Sequence, residues 1–193
     1  AHSYKYPREN IEKAIKKAND SSTTNFETGL YEIFGHGGVG FIASTLTDNP
    51  NRAIADIRKH LRKHDVKIVN GSVLFQFDHK AVFLPQAGYD KDTILEKGIE
   101  KDIEDIEFVN HINGFVKEDE ALATVDYIVT NVEQQSILHE IVEKLKIPGA
   151  MRLAYIPKEL VEVKGEHYDT NQEFIEVLEE LDDVDTVFHN MMP

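Results

Sequence analysis

The stretch from Tyr31 to Phe77 constrains the fold most, because its apolar residues change period twice. Tyr31–Phe34 and Phe41–Thr47 are rich in β-branched and aromatic residues, which suits half-buried strands. Between them lies a glycine turn, Gly35-His36-Gly37-Gly38-Val39-Gly40. Asp48 and Asn49 then offer side-chain oxygens to cap a helix, with Pro50 in the first turn where its missing N–H costs nothing. Ile54, Ile57 and Leu61 recur at helical spacing and give that helix an apolar face. Gly71–Phe77 reads as the next strand.

Gly35, Gly37 and Gly40 satisfy the spacing G-x-G-x-x-G, which signals dinucleotide binding only when the last glycine opens a helix. Here Gly40 opens Phe41–Leu46, a strand pattern, so Gly35, Gly37, Gly38 and Gly40 are expected to form a hairpin turn.

The rest of the chain is read in order. Pro7–Ala18 is expected to be a helix with Ile11, Ala14, Ile15 and Ala18 on one face, followed by a polar linker over 20–25. Past Phe77, the polar Asp78-His79-Lys80 looks like a break. Residues 80–157 then read β-α-β-β-α-β, the ferredoxin-like split motif, with its clearest helix over Gln135–Lys146. A helix over Asn171–Leu181 and a strand over Asp185–His189 would complete the first sheet. The expected fold class is therefore α+β: two ferredoxin-like α/β domains, the second (80–157) inserted into the first (25–79 plus 158–193), after a helix and linker over 1–24.

Charge is distributed unevenly along a chain whose net charge is -14. Residues 50–64 carry Arg52, Arg58, Lys59, Arg62 and Lys63 against Asp56 alone. Lys13, Lys16 and Lys17 add a second basic segment, whereas Lys158–Pro193 holds eleven carboxylates and two lysines. Arg52, Lys59 and Lys63 are spaced to form one exposed stripe opposite Ile54, Ile57 and Leu61. Glu179-Glu180 and Asp182-Asp183 are expected to be solvated surface.

With no cysteine, thiolate zinc sites and thiol nucleophiles are excluded. His60 and His64 stand at i, i+4, but the surrounding Arg and Lys oppose a dication. His139-Glu140 lacks the second histidine of a zincin, because Glu143 stands there. His36 reads as a turn residue rather than a general base. No metal, cofactor, small-molecule substrate or catalytic residue is expected. No apolar run approaches the ~20 residues of a membrane span, so no membrane partner is expected either.

Several stretches together resemble the YebC family: Tyr31-Glu32, Gly35–Gly38, Thr47–Arg52, Gly71-Ser72-Val73, Pro7–Ile15 and Asp182–Asn190. That family includes bacterial proteins described as transcriptional regulators and the mitochondrial translational activator of cytochrome c oxidase subunit one. The chain departs from its pattern at Ile33, often glycine, at His36, often proline, and over His64–Asn70, where relatives are glycine-rich. The resemblance implies the inserted-domain arrangement and makes the helix over 7–18 the last of an N-terminal helical bundle. It also implies a non-catalytic gene-expression factor, in a bacterial cytoplasm or a mitochondrial matrix. Joined to the charge pattern, this gives an expected monomer that binds nucleic acid, RNA or DNA, or the ribosome. The residues expected to meet it are Arg52, Arg58, Lys59, Arg62, Lys63, Lys13, Lys16 and Lys17. The alternative is a protein-interaction scaffold that docks a basic partner on its acidic C-terminal face.

Overall fold

The computed structural model describes residues 26–103, 105–115 and 124–192. The expected helix over 7–18, the linker after it, and Lys13, Lys16 and Lys17 lie outside the described residues.

Strands β1 (Glu27–Phe34) and β2 (Gly40–Thr47) pair antiparallel across the glycine turn, from Glu27 opposite Thr47 to Phe34 opposite Gly40. Helix α1 (Pro50–Lys63) then crosses the sheet to β3 (Lys67–Val69), which pairs with the outer side of β1. At the end of the chain α4 (Glu166–Glu179) leads to β8 (Val184–His189), which pairs with β2. The first sheet is thus ordered β3-β1-β2-β8, all antiparallel, by a ββαβ…αβ path.

The second sheet is built from β4 (Phe77–Pro85), α2 (Lys91–Glu100), β5 (Glu107–Val109), β6 (Tyr127–Asn131), α3 (Gln135–Lys144) and β7 (Gly149–Pro157). Its order, β5-β6-β4-β7, is the ferredoxin-like arrangement that the β-α-β-β-α-β pattern implies. The architecture is α+β with two four-stranded antiparallel sheets and four helices among the described residues. None of these helices is long and apolar enough to cross a membrane.

Alternation along each strand divides the apolar residues among three cores. Phe41, Ala43 and Val187 face α1 and α4, where Ile57, Leu61, Phe174 and Leu178 meet them. Phe83 and Ile128 face α2 and α3 through Ile94, Leu138 and Ile141. Between them Ile42 and Phe188 turn the opposite way and join Val82, Tyr127, Val129 and Ala154 in a core shared by both sheets. The sheets are therefore back to back, with the helices outside.

Two expectations are corrected here. Gly71–Phe77 is not a strand: the strand is Lys67–Val69, and Leu74–Gln76 form a short 3-10 turn. Asp78-His79-Lys80 is no break, because β4 runs through it, opposite Ile156, Tyr155 and Ala154 of β7. Asp78 and His79 lie exposed at the projecting end of the strand, so their polarity reports solvent and not a turn. A boundary at residue 80 therefore falls inside β4, and a piece cut there would expose its side of the shared core.

Candidate nucleic-acid interface

Helix α1 starts where the capping pattern places it. The Asn49 side chain accepts the Arg52 backbone N–H at 3.1 Å, and Thr47 Oγ1 in turn accepts the Asn49 N–H at 2.9 Å. Ala53, Ile57 and Leu61 are buried along the inner face, with Ile54 half-buried beside them. Arg58, Lys59, Arg62 and Lys63 are exposed on the outside.

The five basic residues divide into three groups. Arg52 does not belong to an open stripe. Its guanidinium donates to both oxygens of Asp183, at 2.9 and 2.8 Å, and to Asp48 at 2.7 Å. The Asp183 side chain is only 6% exposed, so this bidentate clamp supplies the countercharge that lets a carboxylate sit under the start of α1. The fork raises the guanidinium pKa further above its ordinary value, chiefly through the hydrogen bonds to Asp183 and Asp48. Lys63 pairs with Glu173 of α4 at 3.2 Å, both side chains exposed. Arg58, Lys59 and Arg62 form no ion pair with the described residues. At spacings of three and four they share one face of the helix.

The end of α1 is tied to the glycine turn. His36 Nε2 lies 2.7 Å from the His64 carbonyl oxygen, and the fully buried Asn171 of α4 bonds both the N–H and the C=O of His36 at 3.0 Å. Gly37 and Gly38 have φ of 68° and 87°, the region that favours glycine. Gly35 and Gly40 are needed for space instead: a Cβ would stand 2.2 Å from the Phe41 ring and 2.8 Å from Val73. His36 is thus a turn residue that fastens α1, and Gly40 opens β2. His60 and His64 do not converge, because His64 is buried against Phe174 and its Nδ1 lies 2.9 Å from the His60 carbonyl. Burial, together with Lys59, His64 and Lys63, lowers the pKa of His60.

The acidic C-terminal face differs from expectation too. Asp183 is consumed in the Arg52 clamp. Glu179 is half-buried, and desolvation together with Glu176 pushes its pKa up to about 7. Glu180 and Asp182 do lie exposed.

A model of the TACO1/YebC family, described as its second and third domain, matches residues 26–191. The chain belongs to the TACO1/YebC family. Over 187 residues it is 37% identical to a probable transcriptional regulatory protein of Chlamydia pneumoniae and 34% identical to one of Chlamydia abortus. Each match covers 96% of this chain and 74% of the relative. Among solved structures, a conserved hypothetical protein from Aquifex aeolicus matches with a TM-score of 0.68 and 30% identity, covering 96% of this chain and 73% of its own.

Three of the stretches that carry the YebC resemblance have mechanical roles here. Thr47–Arg52 is the cap and clamp of α1. In Gly71-Ser72-Val73 the backbone wraps the Glu32 carboxylate, which accepts the N–H groups of Gly71, Val73 and Leu74 at 2.7, 2.8 and 2.8 Å. Burial raises the Glu32 pKa, but these bonds outweigh it and hold the carboxyl below its ordinary value. The Tyr31-Glu32 stretch thus reaches the Gly-Ser-Val loop across the sheet, a partnership that no local sequence signal reveals.

Proposed function

We propose that this TACO1/YebC chain is a non-catalytic gene-expression regulator that meets nucleic acid, either free RNA or ribosomal RNA, through the outer face of α1. The reading rests on one observation: Arg58, Lys59 and Arg62 stand together without an acidic partner among the described residues, in a chain of net charge -14. Clustered cations kept out of ion pairs in so acidic a protein are placed to neutralise phosphates. The names of the Chlamydia relatives support regulation of gene expression.

The ends of α1 argue for backbone contact rather than base reading in a DNA groove. Recognition helices commonly reach bases with their N-terminal residues. Here that end is occupied by Asp48, Arg52 and Asp183, so the cations lie along the middle and last turns. Phosphates of RNA, single-stranded or on the ribosome, match that side-on presentation.

The test is the salt dependence of binding to RNA and to ribosomes. Neutralising Arg58, Lys59 and Arg62 together to Ala should lower affinity. It should also reduce the magnitude of the slope of log K against log[salt] by roughly 0.7–0.9 for each phosphate that is no longer neutralised. A folded triple variant with unchanged affinity and slope would remove α1 as the interface.

A further inference from the structure

We propose that the cleft between the two sheets, on the side of the first sheet away from α1, holds one base of a single-stranded nucleic acid. This rests on the nucleic-acid reading above and adds to it a second contact of a different kind. The cleft measures about 480 Å³. Thr28, Ser44 and Thr186 give one wall hydroxyl groups, and His79, Arg152 and Tyr155 form the other.

The second wall is a braced aromatic platform. His79 and Tyr155 stack with ring centres 4.6 Å apart and planes within 8°. Phe188 supports Tyr155 edge-on at 5.8 Å, and Phe115 supports Phe188 at 5.6 Å. His79 is exposed at the end of this stack and offers a further flat partner the place above or beside it. Leu30 and Leu153, one on each wall, remain 46% and 44% exposed, which leaves apolar surface facing solvent within a concave site. A base removes that surface from water and stacks on the platform whatever its sequence.

Two charged groups set how the nucleotide lies. Arg152 is exposed and forms no ion pair with the described residues, so it can take the phosphate. The exposed Asp185 carboxylate, which accepts the Thr186 hydroxyl at 3.1 Å, repels phosphate but accepts an exocyclic amine. The sugar–phosphate therefore runs past Arg152, and the base points toward Asp185. Cytosine or adenine, which carry an amine donor, fit this polarity better than uracil.

The experiment uses the full chain with fluorescently labelled single-stranded oligo-C and oligo-U. His79→Ala removes an exposed ring and should weaken oligo-C binding about tenfold, as loss of one stacked base does, without changing the salt slope. Asp185→Asn should narrow the preference for oligo-C over oligo-U. Ultraviolet crosslinking should place an adduct on the peptide containing Tyr155, and thermal midpoints confirm that both variants fold. If oligo-C binding depends on α1 but ignores His79→Ala and Asp185→Asn, and no adduct forms at Tyr155, the cleft inference fails while the α1 reading stands. The reverse pattern, binding lost in His79→Ala but indifferent to the α1 triple change, overturns α1 and keeps the cleft. No binding to either oligonucleotide overturns the cleft. An extended apolar peptide that occupies the cleft while oligo-C binding ignores His79→Ala would reassign it to protein and overturn the inference too.

Discussion

Helices α1 and α4 lie on the same face of the first sheet and have the same length, 14 residues, yet carry opposite charge. The first has Arg52, Arg58, Lys59, Arg62 and Lys63 against Asp56; the second has Glu166, Asp169, Glu173, Glu176 and Glu179 and no Lys or Arg. Both bury a stripe against Phe41 and its neighbours: Ala53, Ile57 and Leu61 from α1, and Asn171, Phe174, Ile175 and Leu178 from α4. At the seam their charges are matched, Lys63 to Glu173, and Arg52 reaches Asp183 just beyond α4. Away from it, Arg58, Lys59 and Arg62 are left over. Position relative to the seam, rather than residue type, separates charge that is paired across the two helices from charge left unpaired by the described residues.

The largest effect should come from the apolar part of that seam. Phe174 is fully buried, with the Phe41 ring edge-on at 5.5 Å and the His64 ring at 5.5 Å. Phe174→Ala should cost about 3–5 kcal/mol in urea unfolding, the range for truncating a large core aromatic. A cost below about 1 kcal/mol would mean that the two helices do not depend on this ring to share one core.

Next comes the clamp. Arg52→Ala strips the buried Asp183 carboxylate of its bidentate partner, and a buried charge without one is strongly unfavourable. Its thermal midpoint should fall by several degrees, more than for any other single cation of α1. Asp183→Asn should cost less, because Arg52 is half-exposed and can return to water. If Arg52→Ala and Lys59→Ala behave alike, the division into structural and free charge is wrong.

These contrasts also show what the sequence could and could not reveal. The limits of α1 were legible because caps act within a few residues: Asn49 bonds the N–H three positions on, and Pro50 fits only the first turn. The second sheet was legible because its strands and helices follow one another in chain order. Arg52 read as one more exposed cation because its partner stands 131 residues away. Gly71–Phe77 read as strand because its apolar residues mask a loop held by Glu32, 39 residues from Gly71. Three-residue β3 is too short to show alternation, and its pairing with β1 creates it. The cleft joins residues from both sheets and had no local signature at all.

A pH titration of stability separates α4 from β8. Glu179 has its pKa raised to about 7 by burial and Glu176, so the folded chain holds a proton there that the unfolded chain has released. Its contribution is fully present below the ordinary carboxyl value of about 4.5 and is lost as pH rises through 7. His189 is the opposite case. Burial and, after it, the nearby His111 lower its pKa to about 4, so stability is present above pH 6.5 and is lost as pH falls toward 4. Between those limits the two slopes oppose each other and the wild-type curve should be nearly flat. Glu179→Gln should remove the alkaline loss, on the order of 2 kcal/mol, and leave a curve that rises with pH up to about 6.5. A Glu179→Gln curve parallel to wild type would show that the last turn of α4 is as solvated as its neighbours.

The smallest stability effects belong to the exposed charges, and there the seam can be probed most finely. Lys63 and Glu173 are both exposed, so ordering two long side chains offsets most of their attraction, and salt near 0.15 M screens it over about 8 Å. In a double-mutant cycle, Lys63→Ala and Glu173→Ala should be additive within the error of thermal unfolding. Lys59→Ala and Arg62→Ala should shift stability by no more than about 0.5 kcal/mol. What should separate these cations is binding. Glu173 already neutralises Lys63, so Lys63→Ala should change the salt slope of RNA binding less than Lys59→Ala does, while Glu173→Ala should free Lys63 and strengthen binding. If Lys63 and Lys59 contribute equally and Glu173→Ala has no effect, the acidic helix is not limiting the reach of the basic one, and the Lys63–Glu173 pair leaves Lys63 as available to phosphate as Lys59.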